Sequence, residues 1–171
     1  PGKHNLYNSL AAALAARAAG IPQSVVEQGL SDFPGVEHRM ERVATMHGVN
    51  YINDSKATNV DACRYALEAM NTPTILIIGG KDKGNDYEPI KGLVKEKCAG
   101  LVYLGADNTK LHQNFDQLGL PVADTHSMKD CVTVCANMAK AGYTVLLSPC
   151  CASFDLFKNM EDRGEQFKTL V

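Results

Sequence analysis

The spacing of hydrophobic residues changes character along the chain. From His4 to Ala19 an alanine-rich segment carries Leu6, Leu10 and Leu14 and closes at Gly20, which predicts a helix with a glycine C-cap. Pro22 fits a first helical turn, with Val25, Val26 and Leu30 as the apolar face of a second, short helix. Phe33-Pro34-Gly35-Val36 reads as a linker or turn and is the best candidate for a domain boundary. Beyond it, Arg42 to Met46 and Val49 to Ile52 flank His47-Gly48 as a small hairpin. Then come continuous apolar runs, Thr74 to Ile78, Leu101 to Leu104 and Tyr143 to Leu147, the signature of strands buried on both faces. Helix-length segments separate them, Tyr87 to Lys97, Thr109 to Leu118 and Met128 to Ala141, and Pro121-Val122-Ala123 fits one more short strand. Strands alternating with helices predict an α/β fold with a mostly parallel sheet.

In such a sheet, ligands sit beyond the carboxyl ends of the strands. Four loops qualify: Asn53 to Asn59, Gly79 to Asp86, Gly105 to Asn108 and Ser148 to Asp155. The first joins an acid, a lysine and two hydroxyls to the start of a helix in which Cys63, Ala66, Leu67 and Met70 recur at helical spacing. Thr58 or Asn59 is placed to cap it. A helix N-terminus offers free N–H groups and partial positive charge to an anion, and Lys56 adds a full charge. The plain alternative is a capped loop with a solvated lysine and a turn-forming Asp54.

Gly79 to Asp86 holds three glycines and two lysines after a strand, suited to close approach of an anion. Gly79 and Gly84 are spaced as in a Walker A loop, but Asn85-Asp86 stand where Lys and Ser/Thr are required. A flexible charged loop is the other reading. Ser148 to Asp155 is expected to open a helix, where Ser153 either binds a carboxylate or simply caps. Cys150 and Cys151 lack a neighbouring histidine and make poor nucleophile candidates. Arg39 suits phosphate or ribose hydroxyls, or a salt bridge with Glu41; Asn5 and Asn8 suit a base edge, or a cap.

Composition narrows the classes. The 171 residues suggest one domain with a fragment of another, and 17 basic against 19 acidic residues without a basic block argue against nucleic acid. No apolar run reaches a membrane span and no leader pattern opens the chain, so a cytoplasmic protein is expected, with six cysteines as buried thiols and no CxxC pair for zinc.

Taken in order, His4-Asn5-x-x-Asn8, His38-Arg39-x-Glu41, Asn53 to Asn59, Gly79-Gly80-x-Asp82-Lys83-Gly84 and Leu147 to Asp155 with Arg163-Gly164 resemble the Mur ligases, and the Asp54-Ser55-Lys56-Ala57 sequence resembles their D-glutamate-adding branch. The resemblance implies a Rossmann-like domain over 34–171, preceded over 1–33 by the helical end of a central ATPase domain. It implies an ATP-dependent amide ligase of peptidoglycan synthesis, with an acyl-phosphate intermediate and Mg2+. D-glutamate, UDP-N-acetylmuramoyl-L-alanine and the protein's other domains would be its partners. By position, Asn5, Asn8, Arg39 and Asp54 would face ATP. Lys56, Thr58, Lys83, Ser153 and Phe154 would face D-glutamate, Lys56 as the catalytic residue. Met160 stands where the family commonly has an aromatic residue. The family's Walker A loop and its carbamylated-lysine and magnesium ligands have no counterpart in the sequence, so the metal ligands are expected elsewhere and the chain alone is expected to be inactive. Another amino-acid ligase of the same architecture, or a non-catalytic binding module, are the competing readings.

Overall fold

A computed structural model of the protein describes residues 3–171, with side chains from Leu6 onward. The chain divides into two compact units, Pro1–Gly35 and Val36–Val171. The first holds α1 (Lys3–Ala18) and α2 (Gln23–Asp32), with Gly20 in the left-handed region at the end of α1. Pro22 precedes α2 as its cap residue rather than entering its first turn, and no α2 residue is buried. The apolar face expected of Val25, Val26 and Leu30 is therefore not a core face: Val25 and Leu30 are exposed, as are Leu6, Leu10 and Leu14.

The second unit begins with the hairpin β1 (Glu41–Met46) and β2 (Val49–Asn53). His47 and Gly48 both take positive φ, 50° and 76°, as a two-residue turn matching strand twist requires. Then follow α3 (Val60–Glu68), β3 (Thr74–Gly79), α4 (Glu88–Lys97), β4 (Cys98–Leu104), α5 (Thr109–Phe115) with a 3-10 turn at Asp116–Leu118, β5 (Val122–Thr125), α6 (Met128–Met138), β6 (Thr144–Cys150) and α7 (Met160–Leu170). The six strands lie in the order β1-β2-β6-β3-β4-β5, all parallel except the β1–β2 pair.

Alternation along the central strands sorts their side chains onto two faces. Leu76, Ile78, Leu101, Tyr103 and Leu146 join Cys63, Leu67, Ile90, Val94 and Phe115 of α3, α4 and α5. Ile75, Ile77, Val102, Leu104, Val145 and Leu147 join Met128, Cys131, Cys135 and Phe167 of α6 and α7. Each such aliphatic side chain, fully withdrawn from water, contributes about 1.5–3 kcal/mol before entropy is counted. All six cysteines are free and buried, as small apolar groups.

Because β2, β6, β3 and β4 are neighbours, the loops at 53–59, 148–155, 79–86 and 105–108 leave the same edge of the sheet side by side. Two glycines allow the strand ends to close up there. A Cβ on Gly79 would strike Leu104 O, and one on Gly80 would strike Ala152 O, while both residues have φ above +120°.

Candidate functional site

The site is built outward from Asn53 at the end of β2. Its buried amide uses both faces: Nδ2 donates to His38 Nδ1 (2.9 Å) and to Glu41 Oε2 (3.1 Å), while Oδ1 accepts from Ser55 N–H (3.1 Å). His38 N–H donates to the same Glu41 oxygen, at 2.9 Å. Lys56 N–H donates to His38 O (3.0 Å) and Met40 N–H to Asp54 Oδ1 (3.1 Å). The two residues flanking Arg39, His38 and Met40, hold φ of 60° and 47°. Left-handed conformations at two non-glycine residues cost free energy of order 1 kcal/mol each and persist where surrounding bonds over-determine them. Arg39 is thus presented on a turn clamped to the loop that carries Asp54 and Lys56.

Asp54 is itself buried, at 5% exposure. Ser148 Oγ donates to its Oδ2 at 2.9 Å. Burial pushes its pKa up to about 6, against the opposing pull of the Ser148 and Met40 hydrogen bonds and the Arg39 charge. Its charge therefore changes closer to neutrality than that of an ordinary carboxylate. Between the two residues anticipated as the α3 cap, Asn59 does the capping, accepting from Ala62 N–H at 2.8 Å. That leaves the half-buried Thr58 hydroxyl uncommitted, one residue from the cap and two from Lys56.

A residue whose role sequence reasoning left unassigned holds this region to α7. Arg163 is 1% exposed. Its Nε donates to Ser55 Oγ (3.0 Å), Nη2 to Ser55 O (2.8 Å) and Nη1 to Cys151 O (3.1 Å). Ser55 Oγ passes the chain on to Met160 O at 2.7 Å. Burial without a carboxylate partner lowers the Arg163 pKa to about 10. One guanidinium therefore ties the loops after β2 and β6 to the last helix.

The glycine- and lysine-containing loop is ordered rather than slack. Asp82 Oδ1 accepts from Gly84 N–H (2.6 Å), Asn85 N–H (3.2 Å) and Lys110 Nζ (2.9 Å), and Tyr87 OH donates to Asp82 Oδ2 (2.9 Å). Lys81 N–H donates to Ala152 O at 2.8 Å, joining this loop to the one that carries Ser153. Lys83 stands exposed beyond it. The 148–155 segment does not open a helix, contrary to expectation. β6 runs on through Pro149 to Cys150, its pairing with β3 shifting register at that point, and Ser153 O then accepts from Leu156 and Phe157 N–H in a single turn. The helix waits for Asn159, whose side chain caps Asp162 N–H. Ser153 is buried, so a helix N-terminus is not what it offers. Asp155 Oδ2 accepts from Ala106 N–H (3.0 Å), tying in the loop after β4. Cys150 and Cys151 are buried with thiol pKa values raised chiefly by that burial, the state of packed rather than nucleophilic cysteines.

Arg39, Asp54, Lys56 and Thr58 thus gather at one end of this edge, with Ser153 and Lys83 on the adjoining loops. Phe154 is 66% exposed beside Ser153. Asn8 is exposed on α1, in the other unit, and the side chain of Asn5 lies outside the described residues. Arg39, Lys56, Lys81 and Lys83 are in no ion pair, a state they share among the described residues with Arg17, Arg42, Lys95, Lys129, Lys140 and Lys158; what sets the four apart is their place on adjoining loops of one edge. Four cations on three adjacent loops, facing the single buried carboxylate Asp54, fit a ligand with several negative groups. The donor set suits such a ligand better than a metal, since Asp54 is the lone buried carboxylate among cations.

Comparison with known proteins agrees with this geometry. Residues 38–151 match the family model described as Mur ligase, glutamate ligase domain. The chain is 63% identical over 171 residues to the UDP-N-acetylmuramoylalanine--D-glutamate ligase of Bacteroides fragilis, covering 99% of the chain and 38% of that ligase. It therefore spans well under half the length of this relative. Among solved structures, the UDP-N-acetylmuramate-alanine ligase MurC of Thermotoga maritima superposes with a TM-score of 0.72 at 17% identity, over 98% of this chain and 37% of that one. The MurF ligase of the same organism, solved in complex with ADP, gives 0.67 at 14% identity, over 99% and 38%. These two show the fold, a Rossmann-like α/β sheet flanked by helices. With its match to the family model extending over most of the second unit, the chain belongs to the Mur ligase family.

Proposed function

We propose that the intact protein is an ATP-dependent amide ligase that adds D-glutamate to UDP-N-acetylmuramoyl-L-alanine in cytoplasmic peptidoglycan synthesis. The substrate carboxylate is activated as an acyl phosphate, and the amine of D-glutamate displaces phosphate. The observation that carries this reading is the clustering of Arg39, Lys56, Lys81 and Lys83 on adjoining loops at the carboxyl edge. D-glutamate brings two carboxylates and ATP a polyphosphate. Lys56, Thr58, Lys83, Ser153 and Phe154 form the amino-acid side, with Lys56 close to the chemistry. Asn5, Asn8, Arg39 and Asp54 form the nucleotide side, where Asp54 accepts from ribose hydroxyls. Magnesium accompanies the nucleotide, held by groups outside this chain. The name of the Bacteroides fragilis relative supports the choice of amino acid. Residues 1–33 are assigned to the end of the central ATPase domain and 34–171 to the ligase domain.

Phosphate release from ATP by the intact protein tests this. Release is expected only when both D-glutamate and UDP-N-acetylmuramoyl-L-alanine are present, and not at all with the 171-residue chain by itself, which has no Walker A loop. Release sustained by another amino acid in place of D-glutamate would contradict the substrate assignment. Turnover by the chain alone would contradict the division of labour.

A further inference from the structure

Asp82 stands in the chain directly between two of the clustered cations, Lys81 and Lys83. A carboxylate there is the nearest available partner for either lysine, and pairing with one of them would cancel charge at the edge. It pairs with neither. Oδ1 accepts from Lys110 Nζ at 2.9 Å and from the N–H groups of Gly84 and Asn85, and Oδ2 accepts from Tyr87 OH at 2.9 Å. Partial burial pushes the Asp82 carboxyl up, but the bonds from Lys110, Gly84, Tyr87 and Asn85 outweigh it and hold the group below the usual carboxylate range. Asp82 is therefore ionised, and its counter-ion comes from outside the loop.

That counter-ion is carried by α5. The helix is docked on the loop through Phe115, whose ring meets the buried Tyr87 ring edge-on with centroids 5.4 Å apart. Lys110 Nζ lies 5.7 Å from the centre of the same Tyr87 ring. Lys110 belongs to the first turn of α5, where free N–H groups and the helix dipole disfavour a cation. The helix alone gives no reason for a lysine at this position; the Asp82 carboxylate does. The two side chains are 40% and 27% exposed, so solvent screens the pair and it adds little to folding. Its consequence is in which cations stay free. Lys81 N–H is held by Ala152 O, and Lys83 lies between Asp82 and Gly84, which are bonded to each other, so both lysines project from fixed backbone.

We propose that Lys110 is a positioning residue for the amino-acid side of the site: it engages Asp82 from a separate helix and so leaves Lys81 and Lys83 unpaired for the carboxylates of the incoming amino acid. This rests on the assignment of Lys83 to D-glutamate. Without Lys110, the Asp82 carboxylate turns to the lysines beside it and competes with the substrate for them.

The test is steady-state kinetics of the intact protein with D-glutamate and ATP varied in turn. Lys110→Met should raise the KM for D-glutamate about three- to fivefold, the scale of a partly exposed ion pair, and leave the KM for ATP and kcat unchanged. Lys110→Arg, which keeps the charge, should restore the KM. In an Asp82→Asn background the side-chain oxygen still accepts from Gly84 and Asn85 but the competing charge is gone, so Lys110→Met should then change the KM by less than about twofold. An equal loss in that background would mean that Lys110 acts by its own charge and would overturn the proposal, as would a KM for ATP raised as much as that for D-glutamate. Wild-type turnover that does not require D-glutamate would overturn the substrate assignment and this proposal with it. Wild-type dependence on D-glutamate with unaltered kinetics in Lys110→Met would overturn the role of Lys110 alone.

Discussion

The two ends of the carboxyl edge are built differently. Around Arg39 and Asp54, nearly every supporting polar group is buried and committed: Asn53 makes three hydrogen bonds, Arg163 makes three, and Asp54 is held from Met40 and Ser148. Around Lys83 and Phe154, the backbone is ordered by Asp82 and by the Lys81–Ala152 pairing, but the side chains proposed to meet substrate stand in solvent. The first end is set before any ligand arrives. The second provides reach and charge on exposed side chains. The nucleotide contacts proposed for Arg39 and Asp54 should thus depend on the interior of this domain, whereas the amino-acid contacts proposed for Lys83 and Phe154 should depend on single surface groups.

Variants can break that contrast, and the first three are ranked by their effect on folding. Arg163→Ala removes three charge-assisted bonds and strands the carbonyls of Ser55 and Cys151, so a loss of about 3 kcal/mol in denaturant unfolding is expected. A loss below about 1 kcal/mol would show that these loops hold without it. Asp54→Asn should act in the opposite direction. A carboxyl whose folded pKa is raised to about 6 costs stability while ionised, above that pH, and the cost vanishes as pH falls toward the ordinary carboxylate value of about 4. The variant should therefore be more stable than wild type by on the order of 2 kcal/mol at pH well above 6, with the gain shrinking through that window. Thermal midpoints across the range check it, and a gain independent of pH would contradict the burial argument. Lys83→Ala should leave stability unchanged to within about 0.5 kcal/mol, as for a surface group with no partner.

Much of this arrangement was legible in the residues. Apolar runs such as Thr74 to Ile78 located the central strands, the His47-Gly48 turn located the hairpin, and the four polar loops fell on one edge because their strands are neighbours. The supports were harder to read, because they contradict residue type. Arg163 is a full charge with almost no exposure, and only the bonds of its guanidinium to Ser55 and Cys151 explain that. His38 and Met40 take a conformation that local preference would give to glycine, and the reason lies in Asn53 and Asp54, many residues away. At Ser153 the signal was misleading. The Ser148 to Asp155 stretch is expected to follow the strand and open a helix, yet β6 runs on to Cys150 with Pro149 at a register shift, and the helix begins only after its cap residue Asn159. Leu6, Leu10, Leu14, Val25 and Leu30 have helical spacing and lie on α1 and α2 as expected, and all five are exposed.

The central claim is that the exposed cation Lys83 serves the amino acid, while Arg39 and Asp54 serve the nucleotide from the clamped turn. It is tested most directly by steady-state kinetics of Lys83→Ala in the intact protein, with each substrate varied in turn. Removing one charge-assisted contact, worth roughly 1.5–3 kcal/mol, should raise the KM for D-glutamate roughly 10- to 100-fold and leave the KM for ATP unchanged. Unaltered D-glutamate kinetics, or an effect shared equally by ATP, would contradict it.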